Sequence, residues 1–299
     1  MFKKIENNFA NHYVETQELP SGFVTNSSDL IKGYPKLQTL KELKAKQTEK
    51  YAVKALGCRV KTRDLVQTVN RWTEEFKLQF DVIMIGCMAN NQRVLKFLKE
   101  LPLLKLCSKP GFLFIWTTVD EIESLTTILN QNYGKKFRRS EELVFLPVNK
   151  NSIFYPQQDY SRLFENQQWN CWMCITGTVR RSNDQHLIHC NIDTDLQFEN
   201  ESLVSYNAVP NSVYKIAENF SNFNRRLHII PYELGKTPIK LRHGWVILSP
   251  DVLLNNFNPL DYETQLQSKS LINYKNNQVQ YLVGQTKEIE DLRPKSPGK

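Results

Sequence analysis

The sequence predicts an α/β protein built on a doubly wound sheet carrying an antiparallel hairpin, and three observations support that expectation. Short runs such as FDVIMIG (80–86) and GFLFIWT (111–117) are apolar at nearly every position, as strands covered on both faces must be. Amphipathic helical stripes fall between them. With 299 residues and 40% hydrophobic side chains, the chain is long enough to bury such a core without cross-links.

Residues 1–29 are polar and Asn-rich without apolar periodicity, which predicts a flexible N-terminal extension. In the next segment, 30–56, Leu37, Leu40 and Leu43 recur at spacing three and predict a helix packing on the core. The main domain is read as 57–261. There Leu65, Val66, Val69, Trp72 and Phe76 share a helical face ahead of the strand 80–86. A helix near Asn91–Leu101 and the strand 111–117 follow. Thr118 and Glu121 then have capping-box spacing before a helix with the inner stripe Val119, Ile122, Leu125 and Ile128. LVFLPV (143–148) is the next strand. CWMCITGTVR (171–180) and HLIHCNID (186–193) flank the polar turn 182–185 and read as a hairpin. Val213, Ile216, Ala217 and Phe220 predict a helix, and RLHIIP (226–231) and GWVILSP (244–250) predict two more strands. The segment 262–299 is read as a polar, loosely attached C-terminal tail.

A formal charge of +8 suggests an acidic partner, nucleic acid being the usual one. The opening residues hold no apolar h-region, and no stretch approaches a membrane span, so a soluble, non-secreted, non-membrane protein is expected. Six cysteines scattered among apolar runs read as reduced thiols of a cytosolic or nuclear chain. Cys171, Cys174, His186 and His189 invite a zinc reading. Two residues separate the histidines, fewer than zinc fingers use, and strand residues three apart point to opposite faces, so packed thiols and hydrogen-bonded imidazoles are the expectation, with no metal.

No dinucleotide, phosphate-loop, metalloprotease or serine-hydrolase signature occurs. Ligands of doubly wound sheets sit beyond the carboxyl ends of the strands. Beyond FDVIMI stand Gly86, Cys87, Met88, Ala89 and Asn90, where amino-group chemistry on a base would need a side-chain acceptor. Basic residues concentrate elsewhere, at Lys135, Lys136, Arg138, Arg139, Arg180 and Arg181. Each cluster is either a solvated rim or part of a groove for RNA or DNA phosphates, which Arg225, Arg226, Arg242 and His243 would extend.

CWMCITGTVRRS with HLIHCNIDTDL, SVYKIAENF, RRLHIIP, GWVILSP and EIEDLRPKSP resembles the non-catalytic, methyltransferase-like-fourteen branch of the MT-A-seventy adenine-N6 methyltransferase superfamily. GYPKLQ (33–38), FDVIMIGC (80–87), SKPGFLFIW (108–116) and KKFRRSEELVF (135–145) resemble its fungal karyogamy-regulator family, from about Gly33 onward. The resemblance implies a Rossmann-like methyltransferase fold and a nuclear location. It implies pairing with a catalytic adenine-N6 methyltransferase and other subunits of the mRNA N6-methyladenosine writer, and a role in mating and meiosis. It also implies cooperation with the mating-response transcription factor, which leaves a transcription cofactor without any methyltransferase partner as the alternative. Active members carry Asp-Pro-Pro-Trp where this chain has Gly86, Cys87, Met88 and Ala89. Their ribose-binding acid falls on His228 and a cofactor-site Asn on Pro250, so no catalytic residue and no S-adenosylmethionine binding are expected. Arg138, Arg139, Arg180 and Arg181 match arginines that line a groove beside the catalytic partner.

Overall fold

The computed structural model describes residues 14, 17, 31, 34–89, 92–147, 168–179, 184, 186–187, 192–198, 209–235, 238–275 and 278–293. The strands of its main sheet are β1 (Leu56–Arg59), β2 (Phe80–Ile85), β3 (Cys107–Thr117), β4 (Phe137–Leu146), β5 (Trp169–Thr176), β6 (Leu196–Phe198), β7 (Arg226–Ile229) and β8 (Val246–Ser249). They lie in the order β1-β8-β7-β2-β3-β5-β4-β6. Every pairing is parallel except those of β5, which runs against both β3 and β4. The fold is therefore α/β with a mostly parallel sheet. β2, β7 and β8 are buried at every position, so both faces of the sheet centre are covered, as their apolar sequences require.

The helices are α1 (Pro35–Tyr51), α2 (Leu65–Glu74), α3 (Gln92–Glu100), α4 (Leu103–Leu106), α5 (Ile122–Gln131), α6 (Asn211–Phe220), α7 (Pro259–Lys269) and α8 (Lys287–Leu292). In α2 the buried Leu65, Val69 and Trp72 follow the helical repeat, and Trp72 packs on Phe80 and Phe257. Each such large side chain removed from water stabilises the fold by about 1.5–3 kcal/mol. No described helix is long and apolar enough to cross a membrane.

Four expectations change. Thr118 makes no side-chain cap; a 3-10 turn over Val119–Glu121 closes through the Glu121 N–H to the Thr118 carbonyl at 3.1 Å, and α5 starts at Ile122. CWMCIT does not pair with the segment after it. β5 inserts between β3 and β4, with Leu113 opposite Cys174 and Leu143 opposite Cys171, while His186 and Leu187 lie in a turn and 188–191 fall outside the described residues. The described antiparallel hairpin that forms a sheet of its own is β9 (Leu271–Lys275) with β10 (Gln278–Leu282).

Finally, the segment from Tyr262 is no loose tail. Tyr262 and Leu266 of α7 are buried in the main core, and Tyr281, Leu282 and Val283 are buried too. Asp81 at the start of β2 accepts two bonds from Arg225, at 2.8 and 2.6 Å, and one from the Ser108 hydroxyl at 2.6 Å. The Arg225 guanidinium also lies over the Tyr281 ring, 5.2 Å from its centre, so this buried ion pair fastens the hairpin to the sheet. Ile289 of α8 forms a small second core with Leu40 and Ile192. These contacts were hidden because strands as polar as LINYK and QVQYL bury little of their own surface.

Candidate functional site

The carboxyl ends of β2, β7 and β8 are where a doubly wound sheet presents its ligand site. After Ile85 the chain turns at Gly86 with φ +82°, a conformation glycine adopts without penalty. Cys87 and Met88 then fold inward and are buried. The Cys87 thiol lies 3.3 Å from the Tyr232 hydroxyl, itself buried beyond β7, and burial pushes the thiol up to about 12, so it stays protonated. Ala89 offers only a methyl group. No side chain of Gly86–Ala89 is an acceptor that would orient an amine.

His228 is fully buried on β7. Its Nε2 is 2.8 Å from the Gly86 carbonyl, which can only accept, so Nε2 carries the proton. Nδ1 is then the acceptor of the Tyr214 hydroxyl at 2.5 Å. Burial lowers the imidazole from 6.5 to about 4, which keeps it neutral. A neutral donor locked on backbone therefore stands where the resemblance places a ribose-binding acid. Beyond β8, Pro250 is followed by Asp251, whose carboxylate accepts the Leu234 N–H at 2.5 Å and ties the loops after β7 and β8 together. This end of the sheet is packed with protonated, neutral or internally bonded groups.

The basic rim lies elsewhere. Lys135, Lys136, Arg138 and Arg139 are all exposed, in the turn before β4 and in its first residues. Lys135 takes φ +58° directly after Gly134 at +57°. Arg138 donates to the Gly177 carbonyl at 2.8 Å, and the Arg139 guanidinium stacks over Trp172, 4.6 Å from the ring centre. Arg139 also lies 3.6 Å from Glu142, which accepts from Asn170 and from the Trp172 indole. Ile85 is level with Ile115, Trp172 and Glu142, so the rim lies toward the opposite, amino end of the strands. It is also three strand spacings, about 14 Å, to the side. Arg180 and Arg181 fall outside the described residues.

Three further arginines do not extend that rim. Arg225 is held by Asp81, and Arg226 is wholly buried. Arg242 makes a two-pronged pair with Glu218, both contacts 2.8 Å, and the same carboxylate accepts the Trp245 indole N–H at 2.7 Å. His243 is exposed beside it. Cys171 and Cys174 are buried on opposite faces of β5, with thiols raised by burial, that of Cys174 to about 12; His189 is not among the described residues. Sequence reasoning missed the Tyr214–His228–Gly86 relay and the Glu218–Arg242–Trp245 cluster. Their partners lie up to 142 positions apart, and no local spacing signals them.

A family model described as MT-A70 matches residues 68–247. Karyogamy protein KAR4 of Saccharomyces cerevisiae is 50% identical over 296 residues, covering 97% of this chain and 85% of that protein. The N(6)-adenosine-methyltransferase non-catalytic subunit METTL14 of Danio rerio is 30% identical over 309 residues, and the match spans 62% of its length. The non-catalytic subunit MTB of Arabidopsis thaliana is 29% identical over 212 residues, 26% of that protein.

Proposed function

The chain belongs to the MT-A70 family, among its karyogamy-protein relatives, and from that premise we propose that it is a non-catalytic subunit pairing with a catalytic adenine-N6 methyltransferase in the nuclear mRNA N6-methyladenosine writer. The observation that carries this reading is the packed carboxyl end of β2, where Gly86–Ala89 supply no side-chain acceptor and His228 is engaged with backbone. The chain retains the body of the fold and offers surface rather than chemistry: it scaffolds the catalytic chain and brings Lys135, Lys136, Arg138, Arg139, Arg180 and Arg181 to the RNA. Arg138 and Arg139, held by Gly177 and Trp172, present forked donors suited to phosphate. The names of the METTL14 and MTB relatives support the non-catalytic role.

Calorimetric titration of the isolated chain with S-adenosylmethionine tests the reading. No saturable heat is expected, and clear micromolar binding sinks it. The name of the yeast relative favours a role in karyogamy. In a second reading that role runs through the mating-response transcription factor without any methyltransferase. Affinity purification from mating and from meiotic cells separates the two: recovery of a catalytic methyltransferase supports the writer reading, and recovery of the transcription factor alone in both states rejects it.

A further inference from the structure

The strand edges of this molecule are finished in different ways. β1, at one margin of the main sheet, is sealed: the Gly57 and Arg59 N–H groups donate to the Asn256 and Asn255 side chains at 2.8 and 2.9 Å, and the Gly57 carbonyl accepts from the Asn256 and Phe257 N–H groups, both at 3.0 Å. β6, at the other margin, is only three residues long. Both are common ways of blunting an edge. β9 has neither: among the described residues no hydrogen bond meets the side of its backbone that faces away from β10.

Which groups of β9 point outward follows from the far side of β10. There the Tyr281 carbonyl accepts from the Asn224 N–H at 2.9 Å, and the Val283 N–H, just past the strand, donates to the Asn222 carbonyl at 2.8 Å. Odd-numbered residues of β10 therefore turn their backbone away from β9. Because backbone direction alternates along a strand, Gln278, Gln280 and Leu282 bond to β9, and Ile272 and Tyr274, opposite Tyr281 and Val279, direct their N–H and C=O groups to solvent. Their side chains are exposed too, Ile272 by 42% and Tyr274 by 76%, beside the exposed Val279 on the same face. The register runs unbroken over all five pairs, and the strand LINYK holds no proline. Its single charge, Lys275, is drawn to Asp184. Proline, bulge and free charge, the devices that guard an edge, are thus all missing from β9.

We propose that this edge pairs with the same edge of a second copy of the chain, antiparallel about a twofold axis through Asn273. Ile272 of each copy then lies opposite Tyr274 of the other, and every outward N–H and C=O of these two residues finds a partner. A shift of two residues either way leaves one of them facing a residue outside Leu271–Lys275. An aliphatic β-branched side chain against an aromatic ring is a favourable cross-strand pair. Val279 and Tyr281 continue the same apolar band across all four strands, and Asn273 meets its own copy on the other face. The strand is its own complement, as a twofold contact requires. Five residues a side fall short of the roughly 20–30 of a standard interface, so the contact is weak and depends on concentration. It goes beyond the writer reading and uses neither the Gly86 end nor the Lys135–Arg139 rim.

Sedimentation velocity of the full chain over about a hundredfold range of concentration should show a shift from monomer to dimer. Tyr274→Pro removes an outward N–H and no bond to β10, and should hold the chain monomeric. Ile272→Lys with Tyr274→Lys should do the same through repulsion, and decides the matter if the proline variant fails to fold. Asn273→Cys places one thiol on the axis, where facing residues of an antiparallel pair lie about 4.5 Å apart, and mild oxidation should give a reducible dimer that the parent chain does not form. A monomer at every concentration, a dimer that persists in the edge variants, or no cross-link through Asn273→Cys overturns the pairing. If the edge variants leave the oligomeric state unchanged and lose a different protein instead, the edge serves another strand and the second-copy assignment falls.

Discussion

The two ends of the central strands have been treated in opposite ways. At the carboxyl end of β2 the chain buries Cys87 and Met88, and there His228 and Asp251 are bonded to backbone groups. Toward the amino end the charges gather: Asp81 with Arg225, Glu218 with Arg242, and Arg226 without a carboxylate. The contrast teaches that a strand end filled by neutral side chains joins the core, whereas buried charge calls for a partner. Asp81 and Glu218 each have a guanidinium partner, whereas Arg226 stands buried with only the Asn224 side chain beside it.

The contrast is broken most severely at the amino end. Asp81→Ala should cost about 3–5 kcal/mol in denaturant unfolding, because Arg225 is left buried and uncompensated. Arg226→Met, one residue away, should be close to neutral or stabilising, since it removes a buried charge that lacks such a partner. Equal losses for the two would erase the distinction between a paired and an unpaired buried charge.

The carboxyl end is probed by pH. An imidazole held near 4 when folded and near 6.5 when unfolded takes its proton first in the unfolded chain, so stability falls as pH drops through 6.5 and levels off below about 4. The loss from this group is on the order of 3 kcal/mol. A His228→Phe variant should show a flatter curve in that window; an identical curve would mean that His228 is not the group titrating there. Tyr214→Phe removes the hydroxyl donated to Nδ1 and should cost about 1–2 kcal/mol at neutral pH.

The smallest effect on folding is expected at the exposed rim, where Arg138→Glu with Arg139→Glu should leave unfolding midpoints unchanged. RNA binding by the assembled complex should weaken and its dependence on salt become shallower, by roughly 0.7 in log–log slope for each phosphate that is no longer neutralised. Unchanged affinity would return the rim to the role of a solvated surface.

The alternation of apolar strands and amphipathic helices from Leu65 to Thr117 was readable because periodicity is a local property. β1, only LGCR, is too short and too mixed to signal itself; it is made a strand by β8, which pairs with it in register from the far end of the domain. The placing of β5 between β3 and β4 is a topological choice that a hairpin-like sequence does not encode. At the candidate site, the missing acceptor after β2 could be read from four residues. What fills the space could not, since the Tyr214 hydroxyl, the His228 ring and the Gly86 carbonyl meet only in the folded chain. Arg225 and Arg226 look equivalent in sequence. Only the position of Asp81 on the neighbouring strand tells them apart.

The sheet order also sets a schedule for synthesis. β3, β4 and β5 fall within residues 107–176 and can associate as they leave the ribosome, whereas β2 gains β7 only after residue 229 has emerged, and β1 gains β8 only after residue 249. α1 waits longer still, because the Leu40 cluster is closed by Ile289. A nascent chain therefore carries the apolar strand FDVIMI with one edge unpaired through nearly half of its translation. That interval is when an unpaired edge of the central sheet stands open to mispairing.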